Sequence, residues 1–440
     1  MSQHSTASPS VISVVNDAEL KSVHFKVIVI AAFGLIFDGY DFQATAYAAP
    51  LIRQEWQLDP RVLGGLISAG FLGLFVGSIG ASYLADLIGR KRAFALCTII
   101  YSIFTAAAAF APGFESFVGL RFLTGIGLGG VIPIATAWVF EMMPSRNRAA
   151  ITAAVVACFL FGWIVASVAA LFIIPDFGWR AFFFLGAVPA ILGVFLLFTG
   201  PESPIWLLSR GRLAEANRVL QEISPGVKLD QAAVASFPRS RSNWLKLMSS
   251  QWLKSTIIFG IMYFMLAVLS AGITQWLPTL LVGRGITLHN TYLYTFVVSA
   301  GPMIGSIVMG ALLDVIGRRR AFVVFWVCAS AFIVAFAFAT SPAGVMGLGF
   351  GLTFFSIATY TCLDVIVAEL FPTELRASAI GWGLGMSRLG GAVGPVLGGY
   401  LVSFGISYTG FFLVFAVPPL INIILSPGIA FAKSRPQLLH

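Results

Sequence analysis

The sequence predicts an all-α membrane protein of twelve transmembrane helices in two pseudo-symmetric six-helix bundles. Composition is the first reason. The 440 residues are 58% hydrophobic and 10% charged, whereas soluble domains carry roughly 25% charged residues. Second, a helix needs about 20 apolar residues to cross the hydrocarbon core. Runs of that kind begin near residues 25, 62, 94, 116, 150, 180, 255, 291, 321, 343, 377 and 407. Third, the chain repeats itself. Asp86-Leu87-Ile88-Gly89-Arg90-Lys91-Arg92-Ala93-Phe94 returns as Asp314-Val315-Ile316-Gly317-Arg318-Arg319-Arg320-Ala321-Phe322, an offset of 228. Glu141-Met142-Met143-Pro144 with Arg148-Ala149 returns as Glu369-Leu370-Phe371-Pro372 with Arg376-Ala377 at the same offset. Two separate matches at one spacing indicate a duplication.

The elements follow in order. Residues 1–24 are polar and Ser-rich, without the charged start, short apolar core and cleavage site of a signal peptide, and read as a cytoplasmic tail. Residues 25–200 form the N-terminal six-helix bundle, and 201–254, rich in Lys, Arg, Ser and Pro, a cytoplasmic linker. Residues 255–432 form the C-terminal bundle and 433–440 a second cytoplasmic tail. With the N-terminus inside, cytoplasmic segments hold 21 of the 27 Lys and Arg residues. That asymmetry is the positive-inside pattern, so the net charge of +9 reports topology and not a nucleic-acid partner. Cys97, Cys158, Cys328 and Cys362 lie in apolar runs with neither disulfide nor zinc spacing. There is no Walker A sequence and no nucleophile elbow. His24 precedes span one and no histidine falls at bilayer depth. The expectation is a protein that is not an enzyme, needs no cofactor or metal, and meets only the bilayer and small solutes.

The chemistry is expected where charge enters apolar runs. Asp38 and Asp41 sit in the run from Phe25 to Pro50. A carboxylate at bilayer depth costs at least ~2.5–3.5 kcal/mol on insertion scales and marks function. Spaced i, i+3, the two share a helix face, with Thr45 continuing it. Acids that close do not readily both ionise, so the pair suits an exchangeable proton. Adding 228 to each lands on Leu266 and Leu269, so the pair is not duplicated. Gly39 between them permits close helix approach. Arg121, inside the outer end of span four, cannot lose its charge and needs an anion; the span-one acids are the candidates, a snorkelling position the alternative. Arg388, mid-span eleven beside Gly385, Gly390 and Gly391, offers a planar fork to a substrate carboxylate, or pairs with Asp364. Asp86, Arg90, Arg92, Glu141 and Arg148, with Asp314, Arg318, Arg320, Glu369 and Arg376, are expected to form a cytoplasmic ion-pair gate in each half, with Glu141 facing Arg148 and Glu369 facing Arg376. A latch that must open is made of modest pairs. Gln275, Trp276 and Pro278 cluster in span seven; Thr353, Ser356, Tyr360 and Asp364 share a face of span ten.

Several of these motifs resemble a known group. Two six-span halves, each with Asp-x-x-Gly-Arg-Lys/Arg-Arg after its second span, resemble the major facilitator superfamily. Pro201-Glu202-Ser203-Pro204 and Arg121-Phe122-Leu123-Thr124-Gly125-Ile126-Gly127-Leu128-Gly129 are similar to motifs of that superfamily. Asp38-Gly39-Tyr40-Asp41 resembles the Asp-Gly-x-Asp of its aromatic acid:H+ symporter family, as do Trp276-Leu277-Pro278-Thr279 and Gly385-Met386-Ser387-Arg388-Leu389-Gly390-Gly391. The resemblance implies a monomeric carrier in a bacterial inner membrane. It would import an aromatic carboxylate with protons, coupled through Asp38, Asp41 and Arg121. Substrate would contact Arg388, Tyr47, Trp138, Gln275, Trp276, Tyr360 and Trp382, with Phe159 and Trp163 as further ring contacts. Another organic anion, such as a sugar acid or sialate, is the rival substrate. Drug:H+ antiport is weaker: Gly391-Ala392-Val393-Gly394-Pro395-Val396-Leu397-Gly398-Gly399 resembles the antiporter motif, but in span eleven instead of span five.

Overall fold

The computed structural model describes residues 10–231, 234 and 244–427, and every regular element among them is helical. The expected C-terminal tail, 433–440, and part of the linker lie outside the described residues. Ten helical stretches are long and apolar enough to span a membrane. One of them, Arg148–Thr199, is 52 residues, or ~78 Å of helix, more than twice the hydrocarbon thickness. It crosses twice because Gly178, at φ 77° and ψ 172°, turns the chain. Thr373–Ser403 is 31 residues of helix whose glycines and Arg388 dilute its apolar character. Splitting the first stretch and adding the second gives twelve crossings.

Span one is Ser22–Glu55, span two Pro60–Ile88, span three Arg90–Ala108 and span four Phe114–Met142. Spans five and six are 148–177 and 179–199. Span seven is Leu253–Gly283, span eight Leu288–Ile316 and span nine Arg318–Ala337. Span ten joins Pro342–Ile357 to Thr359–Leu370; span eleven is Thr373–Ser403; span twelve joins Tyr408–Val414 to Val417–Leu425. An even number of crossings leaves the start of span one and the end of span twelve on one side, called the terminus side, opposite a far side.

Local chemistry sets the boundaries. Asp59 accepts the Arg61 N–H at 2.8 Å and Pro60 opens span two; Ser341 and Pro342 do the same for span ten. The repeated glycines Gly89 and Gly317 take φ values of 104° and 82°, which end spans two and eight in a conformation that L side chains resist. Span one starts earlier than expected. His24 lies within its first turn, buried, where its Nδ1 accepts the Lys21 N–H at 2.9 Å. Upstream, the expected polar tail contains a helix, Val11–Asn16, that buries Val11, Val14 and Val15.

Spans one and five pack closely, as do two and four, three and four, seven and eleven, and eight and ten. At the one–five contact, a Cβ on Gly39 would overlap the Phe159 carbonyl oxygen, and one on Gly162 would overlap that of Ile36. Small residues here let the backbones touch. Contact between the halves runs through spans two and eleven, five and eight, and one and seven.

The two–eleven contact is graded. On the far side, a Cβ at Gly64 would lie 2.6 Å from the Pro395 carbonyl oxygen and one at Gly399 2.5 Å from that of Pro60. Ser68 donates to the Ala392 carbonyl at 2.6 Å. Toward the terminus side, a Cβ at Gly385 would meet only Phe75 at 3.9 Å, and one at Gly381 nothing within 4 Å. On the far side Arg61 also donates to Ser403 (2.9 Å) and the Tyr292 hydroxyl to the Tyr47 carbonyl (2.9 Å). The halves are therefore shut on the far side and splayed on the terminus side.

Gly162→Leu is expected to force spans one and five apart and destabilise the protein by about 1–3 kcal/mol. Thermal unfolding of the purified protein in detergent measures this, and an unchanged midpoint would show that the two backbones do not meet there.

Candidate functional site

Span one carries both acids to the centre of the N-terminal half. Asp38 and Asp41 are 2% and 1% exposed, so each must find partners inside the protein. Asp41 is saturated. Arg121 grips it in a fork, Nη1 to Oδ1 at 3.1 Å and Nη2 to Oδ2 at 3.0 Å, and Nη2 also reaches the Asp41 carbonyl at 3.3 Å. Thr105 of span three donates to Oδ1 at 2.6 Å. The guanidinium lies over the Phe183 ring, 5.5 Å from its centroid. Arg121 is buried and is no snorkelling residue.

Asp38 stands differently. Its Oδ2 has no hydrogen-bond partner among the described residues. The cation that acts on it is Arg388, from the opposite half, through space. Arg388 is held only lightly, Nη2 to the Gly129 carbonyl at 3.4 Å. Asp364 is not its partner, because Asp364 accepts the Tyr263 hydroxyl.

Beside these charges lies a narrow central cavity of about 10 Å³, room for about one water, lined by Phe42, Thr45, Phe71, Arg121, Leu128 and Gln275 among others. Phe42 and Phe71 line it, and Phe159 and Trp163 pack against Phe42. Phe42 stacks on Trp163, with centroids 5.3 Å apart and planes within 8°, and meets Phe71 and Phe159 edge-on at 5.2 and 5.5 Å. The Trp163 indole N–H has no partner among the described residues. Gln275 donates to Gln43 (2.9 Å) and to the Phe42 carbonyl (3.1 Å), closing one side of the pocket across the two halves.

Other expected ring contacts are used for packing. Trp138 is fully buried, tilted against Phe94, and its indole donates to the Pro201 carbonyl at 3.2 Å. Trp276 donates to the Pro395 carbonyl at 2.9 Å and Trp382 to the Thr256 carbonyl at 3.0 Å, both joining spans seven and eleven. Those three indoles are placed as helix ties, not pocket walls. Tyr47 packs between Phe182 and Tyr292, and Tyr360 shares a hydrogen bond with Ser387, next to Arg388, at 3.0 Å. Thr353 and Ser356 bond backbone carbonyls instead of facing the cleft. Thr105 and Phe183 carried no signal in the sequence. Gln43, a polar residue two positions past Asp41 in an apolar run, did.

The repeated charges form one cluster per half. Arg90 bonds Asp86 at 2.7 Å and Glu141 at 3.0 Å; Arg318 bonds Asp314 and Glu369, both at 2.9 Å. Each cluster is internal to its half. Arg148 does not reach Glu141. It donates to the Met143 carbonyl at 3.0 Å and to the Asn16 side chain, docking the N-terminal helix. Arg92, Arg320 and Arg376 are exposed and form no ion pair among the described residues. Glu202 accepts the N–H groups of Arg90 (2.8 Å), Lys91 (3.1 Å) and Ser203 (2.9 Å), capping span three. Burial pushes its carboxyl above the usual range while those donors pull it down.

Comparison with known proteins follows this geometry. The model of the Major Facilitator Superfamily matches residues 31–365 and 293–438. The chain is 28% identical to the niacin transporter NiaP of Acinetobacter baylyi over 97% of both chains. It is 27% identical to the benzoate transport protein of that organism, covering 93% of this chain and 90% of the relative. It is also 27% identical to the 4-hydroxybenzoate transporter PcaK of Pseudomonas aeruginosa, over 89% of both. Among solved structures, a partially occluded inward-open form of the xylose transporter XylE from E. coli superposes with a TM-score of 0.73 at 18% identity, covering 92% of this chain and 97% of that one. An all-α architecture of paired six-span halves, a family match along nearly the whole chain and fold neighbours of the same kind lead to one assignment: the chain belongs to the Major Facilitator Superfamily, a family of secondary transporters and not of enzymes.

Proposed function

We propose that the protein is a proton-coupled symporter that imports a single-ring aromatic carboxylate by alternating access, with both chain ends in the cytoplasm. The observation that carries the reading is the unequal state of the two acids. Asp41 is clamped by Arg121, whereas Asp38 keeps a free oxygen and is opposed by a lightly held Arg388 across the cleft. Two guanidinium groups and two carboxylates leave the empty site neutral. A substrate anion adds one negative charge, and one proton on either acid restores neutrality. Charge imbalance inside a low-dielectric site is costly, so anion and proton are favoured together. Protonation of Asp41 removes the charge that the Arg121 fork holds and frees that helix contact to rearrange.

The residues around the cavity, not its volume in this state, suit the cargo, and room for a ring opens as the halves move apart. Phe42, Phe71, Phe159 and Trp163 offer ring faces and edges; Arg388 offers a planar fork for two carboxylate oxygens. Niacin, benzoate and 4-hydroxybenzoate, named for the relatives, each combine one aromatic ring with one carboxylate. A cleft open on the terminus side would then face the cytoplasm, with substrate released between the splayed halves.

In proteoliposomes with an inward proton gradient, the protein is expected to accumulate radiolabelled benzoate or 4-hydroxybenzoate, and a protonophore should stop it; persistence would point to another driving ion. Asp41→Asn is expected to abolish accumulation against a gradient, and full retained accumulation would remove proton coupling from that residue. Arg388→Lys keeps the charge but loses the fork, so apparent KM for the carboxylate should rise about tenfold. An unchanged KM would place the carboxylate elsewhere.

A further inference from the structure

Behind the Asp41–Arg121 pair lies a group of side chains to which the symport cycle above gives no task. Tyr101 and Ser102 of span three and Thr124 of span four are 1%, 0% and 0% exposed. Beyond the Tyr101 and Ser102 hydroxyls that stand beside each other, none of the three has a hydrogen-bond partner among the described residues, and neither does Asp38 Oδ2 or Arg121 Nε. A buried hydroxyl left without a partner costs about 1–3 kcal/mol, and such groups are rare in folded proteins. Several at one level call for a reason.

The level follows from register. Spans one and three run in the same direction. Gly34 faces the Phe94 ring, and Asp41 accepts from Thr105 at 2.6 Å. Asp38 is one turn before Asp41, and Tyr101 is one turn before Thr105, so the two stand side by side. Tyr101 is within electrostatic reach of both acids. Span four closes the chamber: Gly127 packs on the Tyr101 backbone, and Thr124 lies one turn from Arg121. The ionisable groups that act on Tyr101 are Asp38 and Asp41 from span one; Cys97, one turn away on its own helix, and Arg388 of span eleven act on Asp38, and Arg121 of span four and Tyr40 of span one adjoin Asp41.

We propose that Tyr101 is a proton-relay residue linking Asp41 to Asp38 inside the N-terminal half. The proposal rests on the symport reading and adds the path. A proton arriving on Asp41 weakens its hold on Arg121. In the state described the phenol bonds neither acid; once Arg121 lets go, Asp41 and Asp38 close on it, the Asp41 O–H bond breaks as that proton joins the Tyr101 oxygen, and the hydroxyl hydrogen of Tyr101 passes to Oδ2 of Asp38. Asp41 returns to a carboxylate and recovers Arg121; Asp38 becomes the carboxylic acid, and Tyr101 is neutral before and after. The Ser102 hydroxyl, beside that of Tyr101, and the Thr124 hydroxyl solvate the phenol during the exchange. The proton has advanced one helical turn toward the open side of the cleft.

The test is Tyr101→Phe in proteoliposomes, which keeps the ring and removes only the hydroxyl. The rate of radiolabelled benzoate accumulation driven by an inward proton gradient is expected to fall about a hundredfold, the lower end of the scale for a lost proton-transfer group. Benzoate counterflow at equal pH on both sides, which needs binding and rocking but no net proton movement, is expected to stay at the wild-type rate and reports correct folding. Full proton-driven accumulation in the variant would overturn the relay in favour of direct transfer between the acids. Equal loss of accumulation and counterflow would also overturn it, reducing Tyr101 to packing. Wild-type uptake indifferent to the gradient would overturn the symport reading itself, and the relay with it.

Discussion

A guanidinium buried inside a helical bundle cannot give up its charge, and the rest of this molecule is arranged around that constraint. Arg121 is 4% exposed, and its Nη1 and Nη2 donate to both oxygens and the carbonyl of Asp41. Removing one member of such a pair leaves an uncompensated buried charge, which costs about 3–5 kcal/mol. The pair also ties span one to span four, and Thr105 adds span three. Three helices of one half are thus held at one point. Conformational change is then cheapest between the halves, where the contacts are fewer and graded.

The two–eleven contact is where that change is visible. It is tight from Pro60 to Phe71 on one helix and from Gly391 to Gly399 on the other, and absent by Gly381. Glycines and single hydroxyl-to-carbonyl bonds make the sealed part, and such contacts re-form elsewhere at little cost. The Arg90 and Arg318 clusters do not bridge the halves in this state. Each one stiffens the terminus-side end of its own half, and Glu202 braces the first by capping the helix that carries Arg90. Rigid halves moving about a soft seam is the rocking geometry of this fold.

Much of this could be read from residues in order. Apolar runs gave the crossings, and the 228-residue offset gave the symmetry. Charge is so scarce at bilayer depth that Asp41 and Arg121 had few partners but each other. What stayed hidden has physical causes. Aromatic residues are 14% of the chain, so abundance could not separate Trp163, which stacks on the pocket residue Phe42, from Trp138, Trp276 and Trp382, whose indoles tie neighbouring helices. Thr105 is one hydroxyl among many on apolar helices; only the fold shows it meeting a carboxylate. Arg148 was expected to face Glu141 through its repeated position, but the docked helix Val11–Asn16, whose sequence does not recur at the 228-residue offset, offers it Asn16 instead. Duplication predicts what both halves share and fails where one half has something extra.

That asymmetry also bears on the proposed coupling. The acids belong to the first half, and Arg388 to the second. Asp38 and Arg388 therefore attract each other across the moving seam, and neither has a strong partner in its own half. In the empty carrier, this attraction favours closing the cleft with the site neutral. A bound anion alone would satisfy Arg388 and leave Asp38 as a surplus charge at the seam; a proton alone would leave Arg388 unanswered. Either imbalance opposes occlusion, and every 1.4 kcal/mol of that opposition lowers the occluded population tenfold. Anion and proton together remove it. On this view coupling needs no contact between the two cargoes, only two opposite charges placed on different rigid bodies so that the seam closes when both are neutralised or neither is.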